Sequence, residues 1–325
     1  MAQTIPIRTA EDPVLDDEGG GTGTRRRRRR TPGRGSTPAS APWLFLLPFG
    51  LPFLLFYVAP VAYALWRSLF KIERTGGIYG KPTEVFAGLD QYRLVFQNDD
   101  FISSVLRVLG FGLVQIPIML LLALGLALLL DSTVARFKAL FRISFFVPYA
   151  IPGVVGALIW GFIYSPGLSP IVDLLGKAGL EPEFLSARWI LWSIANVVTW
   201  TYTGYNMLII YSALQAIPQE IYEAAKMDGA SNWRIARHVK IPSVAPALVL
   251  TGVFSIIGTL QLFTEPIVFS KIATTITTTY TPNMVVLSAG QNNYNYAAAI
   301  SVTLALSTFV LSFAFLKITQ RKAEM

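Results

Sequence analysis

Six stretches of this chain are apolar over a length that a water-soluble domain has no use for. They run approximately from Trp43 to Trp66, Phe101 to Leu130, Ile143 to Tyr164, Trp189 to Leu214, Val244 to Phe269 and Ala297 to Leu316. At about 1.5 Å of rise per residue, a helix made from each crosses a hydrocarbon core of about 30 Å. The expected fold is therefore an all-α integral membrane protein with six transmembrane helices, the first bent by Pro48, Pro52 and Pro60. Hydrophobic residues make up 53% of the 325 and charged residues 14%, too apolar a balance for an ordinary soluble domain. The net charge of +8 lies outside the apolar runs, which suits loops at an anionic membrane surface better than nucleic-acid binding. The chain has no cysteine, which excludes disulfides, thiol catalysis, iron–sulfur clusters and cysteine-ligated zinc.

Lysine and arginine in the connections set the orientation. With the amino terminus inside, the cytoplasmic segments carry eighteen: eight in the tail, three from Arg136 to Arg142, four from Lys226 to Lys240 and three from Lys317 to Lys322. The outer segments carry eight, and Arg107 stands near the outer end of the second run. Both termini and the segment 215–243 are thereby expected in the cytoplasm. Residues 1–40, with an acidic patch ahead of the arginine run Arg25 to Arg30, are too polar and glycine-rich to bury a core and are expected to be a disordered cytoplasmic tail. The remainder, 41–325, reads as one membrane domain.

The one long polar interruption, Glu220 to Pro242, reads EIYEAAKMDGASNWRIARHVKIP. Pro218 opens a helix over Gln219 to Met227, and Gly229 stands at the left-handed capping position just past its end. Ser231 is placed to cap a second helix, Asn232 to Val239, which Ile241-Pro242 is expected to terminate. The order Glu223-Ala224-Ala225, Asp228-Gly229-Ala230 and Ile241-Pro242 resembles the EAA signature of bacterial ABC-importer permeases, the membrane subunits of binding-protein-dependent transporters. Arg142 to Trp160 is similar to the third-helix region of carbohydrate-type members. Leu214 to Pro218 is similar to their lead-in to the loop, and Tyr294 to Ser301 to their approach to the last helix. The chain departs from the usual pattern at Arg107-Val108 and Ser169-Pro170.

The resemblance, closest to the MalF/UgpA family, implies a MetI-like permease fold in a bacterial inner membrane. It also implies a coupling loop docked on an ATPase, a second homologous permease, two ATP-binding subunits, an extracytoplasmic solute-binding protein and a carbohydrate substrate. No cofactor is expected in this chain; ATP and magnesium would sit on the partner ATPase. Consistent with that, the nearest approach to a phosphate loop, Gly76 to Pro82, has the wrong spacing and a proline where the metal-binding hydroxyl belongs.

Polar side chains inside apolar helices are costly unless they pair or face water. On the fourth run Asn196, Thr199, Thr203 and Asn206 fall within an arc of roughly 80° at 100° per residue. On the fifth, Thr251, Ser255, Thr259, Gln261 and Glu265 fall within roughly 160°. Helix–helix hydrogen bonding and pathway lining are both open readings of these stripes. For a sugar, amides, carboxylates and aromatic faces are suitable, which makes Tyr202, Asn206, Gln261 and Glu265 the substrate candidates beside Asn196, Thr199 and Thr203. A multi-spanning membrane enzyme would need convergent acids, bases or metal ligands at membrane depth, and the lone histidine, His238, supplies no such cluster. A channel would leave the EAA loop without a partner, and a permease for a non-sugar solute stays open.

Overall fold

The computed structural model describes residues 41–74, 81–132, 136–180 and 182–323. The tail with its arginine run lies outside them. The first unit is the helix α1 (Ala41–Phe53), which carries Pro48 and Pro52 in its interior and stacks Phe49 on Phe53 at 5.9 Å between ring centroids. The second unit begins at Leu54 with a π-helical turn, Leu54–Val58, followed by α2 (Ala59–Arg67) with a proline in its first turn. Two of the prolines expected to bend the first apolar run, Pro52 and Pro60, stand on either side of this wide turn in the sequence. Wide turns of this kind accommodate prolines, whose missing N–H breaks the ordinary helical ladder.

The expectation of a purely helical chain needs correcting at the first connection. There β1 (Phe70–Arg74) pairs antiparallel with β2 (Pro82–Phe86) in the register Phe70 to Phe86 and Arg74 to Pro82. The Arg67 guanidinium grips both carboxylate oxygens of Glu84, and Phe70 meets Phe86 edge-on at 5.6 Å, so the bases of this segment have a structural use as well as a topological one.

After α3 (Asp90–Phe96), α4 (Asp99–Asp131) runs for 33 residues, about 50 Å. Asn98 starts it, its side chain accepting from the Phe101 N–H at 2.9 Å. The third predicted run is two helices, α5 (Lys138–Ala150) and α6 (Gly153–Tyr164), bent by 95°. Pro152 explains the break. It donates no hydrogen bond, and Ile151 before it takes the extended conformation that a following proline favours, with φ −76° and ψ 130°.

A short helix α7 (Pro170–Lys177), capped by Ser169, leads to α8 (Ile190–Gln215). The polar hairpin then holds α9 (Gln219–Met227), α10 (Asn232–Ile235), a π turn Ala236–Lys240 and α11 (Ile241–Ser243). The second hairpin helix was expected to end at Ile241-Pro242. Helical structure instead continues through Pro242 to Ser243, because the wide π turn before it accommodates a residue without an N–H. The fifth run is also broken, into α12 (Ala245–Leu260) and α13 (Thr264–Phe269), and α14 (Pro282–Asn292) and α15 (Tyr294–Ala323) complete the chain.

Among the described residues four helices are long and apolar enough to cross a membrane: Phe45–Arg67, Asp99–Asp131, Ala245–Phe269 and Tyr294–Gln320. The bent α5–α6 pair makes a fifth if it is one span. The 26-residue α8 is not among them, since Asn196, Thr199, Thr201, Thr203 and Asn206 dilute its apolar content.

Within the second unit α8 is packed between α4 and α5, with α12 and α13 also touching it. Its contact with α5 is close at Gly204, where an added Cβ would overlap the carbonyl oxygen of Phe145. Two buried apolar clusters divide the length of α4 and α8. One gathers Phe111, Ile190, Ile194 and Phe269, and the other Ala123, Ala127, Met207, Ile210 and Leu214. Gln115 of α4 and Thr199, Thr203 and Asn206 of α8 fall between them along the helices.

Candidate functional site

The interval between the two clusters holds a cavity of about 350 Å³. Gln115, at the midpoint of α4, and Asn206 of α8 enter it almost fully buried, each 2% exposed. The Gln115 side-chain amide donates to the Thr199 hydroxyl at 3.2 Å and approaches the Met119 sulfur at 3.4 Å, while its Oε1 accepts no hydrogen bond from the described residues. Asn206 donates to the same sulfur at 3.6 Å. The break between α12 and α13 supplies the opposite wall: Gln261 at the end of one helix, Glu265 at the start of the next, and Gly258 and Ser255 a turn earlier. Glu265 is buried. Unwound backbone of this kind is tolerated at membrane depth only inside protein or against a water-filled cavity.

An aromatic face closes a third side. Tyr149, from the end of α5 just before the 95° bend, stacks on Tyr205 at 4.6 Å with the rings 19° from parallel, and meets Tyr202 at 5.8 Å. Four of the seven pathway candidates therefore line one cavity: Tyr202, Asn206, Gln261 and Glu265. The other three do not line it. Thr199 stands behind it, bonded to Gln115. Thr203 turns its hydroxyl onto the Thr199 carbonyl at 2.6 Å. Asn196 lies two turns away and donates to the Tyr164 hydroxyl at 2.8 Å. For Asn196 and Thr203, then, hydrogen bonding within the helix bundle describes the contacts. Sequence reasoning missed Gln115, Tyr149 and Tyr205, of which Gln115, a lone amide amid an apolar run, was the detectable one.

The polar hairpin forms as its residues dictate. The Ala230 N–H reaches the Ala225 carbonyl and the Gly229 N–H that of Lys226, both at 3.0 Å, and Gly229 has φ +74°. This pair of bonds closes a helix with a left-handed residue, the conformation glycine adopts at least cost. Ser231 accepts from the Arg234 N–H at 3.3 Å and starts α10. Glu223, Ala224, Asp228, Gly229 and Pro242 are exposed, while Ala225, Ala230 and Ile241 are half-buried. Two large apolar side chains missed from the sequence, Met227 and Trp233, are 89% and 72% exposed on this otherwise polar segment. His238 keeps its ring against the Arg234 carbonyl at 3.2 Å.

The hairpin is tied to the bundle at the end of α4. Asp131, the last residue of α4, accepts from the Gln215 amide at 2.6 Å and is ion-paired with Lys240. The Lys240 ammonium also lies 5.3 Å from the centre of the Tyr222 ring. Burial, and after it the Asp131 charge, push the Tyr222 phenol above its ordinary range.

An apolar helical bundle that encloses a polar, aromatic-walled cavity halfway along its helices, and carries an exposed polar hairpin, has the organisation of a membrane transport protein. Residues 119–322 match the model of the binding-protein-dependent transport system inner membrane component, and the chain belongs to that family. It is 31% identical over 281 residues to the lactose transport system permease protein LacF of Rhizobium radiobacter, covering 83% of this chain and 91% of that protein. It is 27% identical over 290 residues to the arabinooligosaccharides transport system permease protein AraP of Bacillus subtilis (strain 168), covering 86% and 88%. A bacterial ABC transporter involved in the import of the acidic polysaccharide alginate has the same fold, with a TM-score of 0.72 at 19% identity over 86% of this chain and 94% of the other. The protein is thus a permease subunit of an ABC importer, a transport component.

Proposed function

We propose that this permease imports a carbohydrate through the cavity between α4, α8 and the α12–α13 break, driven by an ATPase that engages the hairpin. The observation that carries the reading is the composition of the cavity wall. Stacked Tyr149 and Tyr205 offer a flat π face, and Asn206, Gln261 and Glu265 offer hydrogen-bonding groups suited to hydroxyls. A pocket of a few hundred Å³ with convergent polar groups is the ordinary form of a small-molecule site. Relatives named for lactose and arabinooligosaccharide transport support the same substrate class.

In this reading the membrane domain begins at about residue 41 and has six spans, with α5–α6 as a single broken one and α8 as the fourth. A helix packed between others tolerates the polar stripe that excludes α8 on composition. The amino and carboxyl termini and the segment 215–243 face the cytoplasm of a bacterial cell. Glu223, Asp228 and the turn at Gly229 form the coupling surface, with Met227 and Trp233 as apolar anchors for the partner. ATP and magnesium bind on two separate ATPase subunits. A second, homologous permease completes the pathway, and an extracytoplasmic binding protein delivers the solute. Alternating access follows as the bundle rocks around the cavity.

Uptake of radiolabelled lactose and arabinooligosaccharides by cells expressing the whole importer tests the substrate class. Asn206→Leu should lower uptake of the accepted sugar about tenfold, the worth of one hydrogen bond of about 1.4 kcal/mol. Uptake of a non-carbohydrate solute, with every sugar refused, would overturn the assignment.

A further inference from the structure

Asp131 is an acid in an unfavourable place. It ends a long helix, where the unpaired carbonyls of the last turn already present partial negative charge. Its two carboxylate oxygens are each taken by a different part of the chain: Oδ1 by Gln215 at the end of α8, Oδ2 by Lys240 at the end of the π turn. The Tyr222 ring of α9 has its centre 5.3 Å from the Lys240 ammonium. The ion pair is largely shielded, with 10% of the Asp131 side chain and 16% of the Lys240 side chain exposed, so salt screens it less than a surface pair. Lys240 and Asp131 are 109 residues apart, and Gln215 and Asp131 are 84 apart. The contact therefore joins elements that no local sequence signal connects. The π turn that carries Lys240 is a rare local geometry that recurs at functional positions.

The same two helices that meet at Asp131 carry the cavity wall, Gln115 on α4 and Tyr202 and Asn206 on α8. We propose that Asp131 is the positioning residue of the coupling step, a pivot that locks α4, α8 and the hairpin together so that hairpin displacement is delivered to the cavity. The proposal rests on the hairpin being the coupling element. Without the pivot the hairpin would still dock and the ATPase would still turn over, but the cavity would not respond.

The test uses the assembled importer, with its second permease, ATPases and binding protein, in liposomes of phosphatidylethanolamine and phosphatidylglycerol. Ser255→Cys in this cysteine-free chain places a single thiol in the cavity, and a methanethiosulfonate reagent reports its accessibility with and without ATP, magnesium and vanadate. Without further change the two rates should differ about tenfold, a common size for coupling between sites. Asp131→Asn and Lys240→Met should each bring the ratio close to unity while ATP hydrolysis and co-purification of the ATPase persist. The exchange Asp131→Lys with Lys240→Asp should restore the ratio, which a merely structural role in assembly would not predict. An unchanged ratio in Asp131→Asn, together with its loss in Gly229→Val, would overturn the pivot and leave the hairpin's coupling role standing. A ratio that survives Gly229→Val as well would overturn the coupling role and the pivot with it. If Asp131→Asn does not assemble, the exchange variant decides, and its failure to assemble also counts against the proposal.

Discussion

Gly204 stands where α8 presses on α5, and Gly229 stands in open space at the tip of the hairpin. A Cβ at Gly204 would overlap the Phe145 carbonyl oxygen, whereas a Cβ at Gly229 would meet nothing within 4 Å. Yet Gly229 has φ +74°, and Gly204 is an ordinary helical residue without positive φ. One glycine is required by a neighbouring backbone and the other by its own. The difference separates two kinds of part in this protein. The bundle is defined by what its helices touch, and the hairpin by its local backbone chemistry.

The largest effect is expected at Gly204. Alanine there must separate α5 from α8 or distort one of them, at a cost of about 3 kcal/mol. Gly204→Ala is expected to lower the melting temperature and the yield of monodisperse protein from detergent, measured by fluorescence-detected size exclusion. Unchanged yield and melting would show that the α5–α8 contact is looser than the structure has it. Gly229→Val is expected to cost about 1–2 kcal/mol of local strain. Insertion and melting should then stay near the native values, while uptake is lost and co-purification of the ATPase is weakened. Glu223→Lys should match it in uptake and exceed it in weakening co-purification, since it reverses a charge on the proposed docking face. If Gly229→Val instead behaves as Gly204→Ala does, losing yield with uptake per molecule intact, the distinction between bundle and hairpin fails.

How much was legible in the sequence follows the same division. Every signal in the hairpin is local: Pro218 at the start of α9, Gly229 at its left-handed end, Ser231 at the cap of α10. The structure has all three where the residues place them. The one local misjudgment was at Pro242, because a π turn before a proline has no simple sequence mark. In the bundle, periodicity grouped Asn196, Thr199, Thr203 and Asn206 on one face, but a shared face did not give a shared destination. Asn196 bonds to Tyr164, and only Asn206 of the four reaches the cavity. The breaks at Pro152 and at Gln261–Phe263 were hidden by apolar composition continuing across them. Without those breaks Tyr149 and Glu265 cannot be placed in one cavity. The Asp131–Lys240 pair was out of reach, since nothing in either neighbourhood points to the other.

In the proposed topology the hairpin faces the ATPase side of the membrane, with the cavity enclosed between it and the outer surface. The chain has no cysteine of its own, so single thiols at Ser231→Cys and Asn293→Cys report the two faces directly. A membrane-impermeant maleimide added to intact cells is expected to label position 293 and to spare 231 until the membrane is permeabilised. Labelling of 231 in intact cells, with 293 protected, would contradict the account.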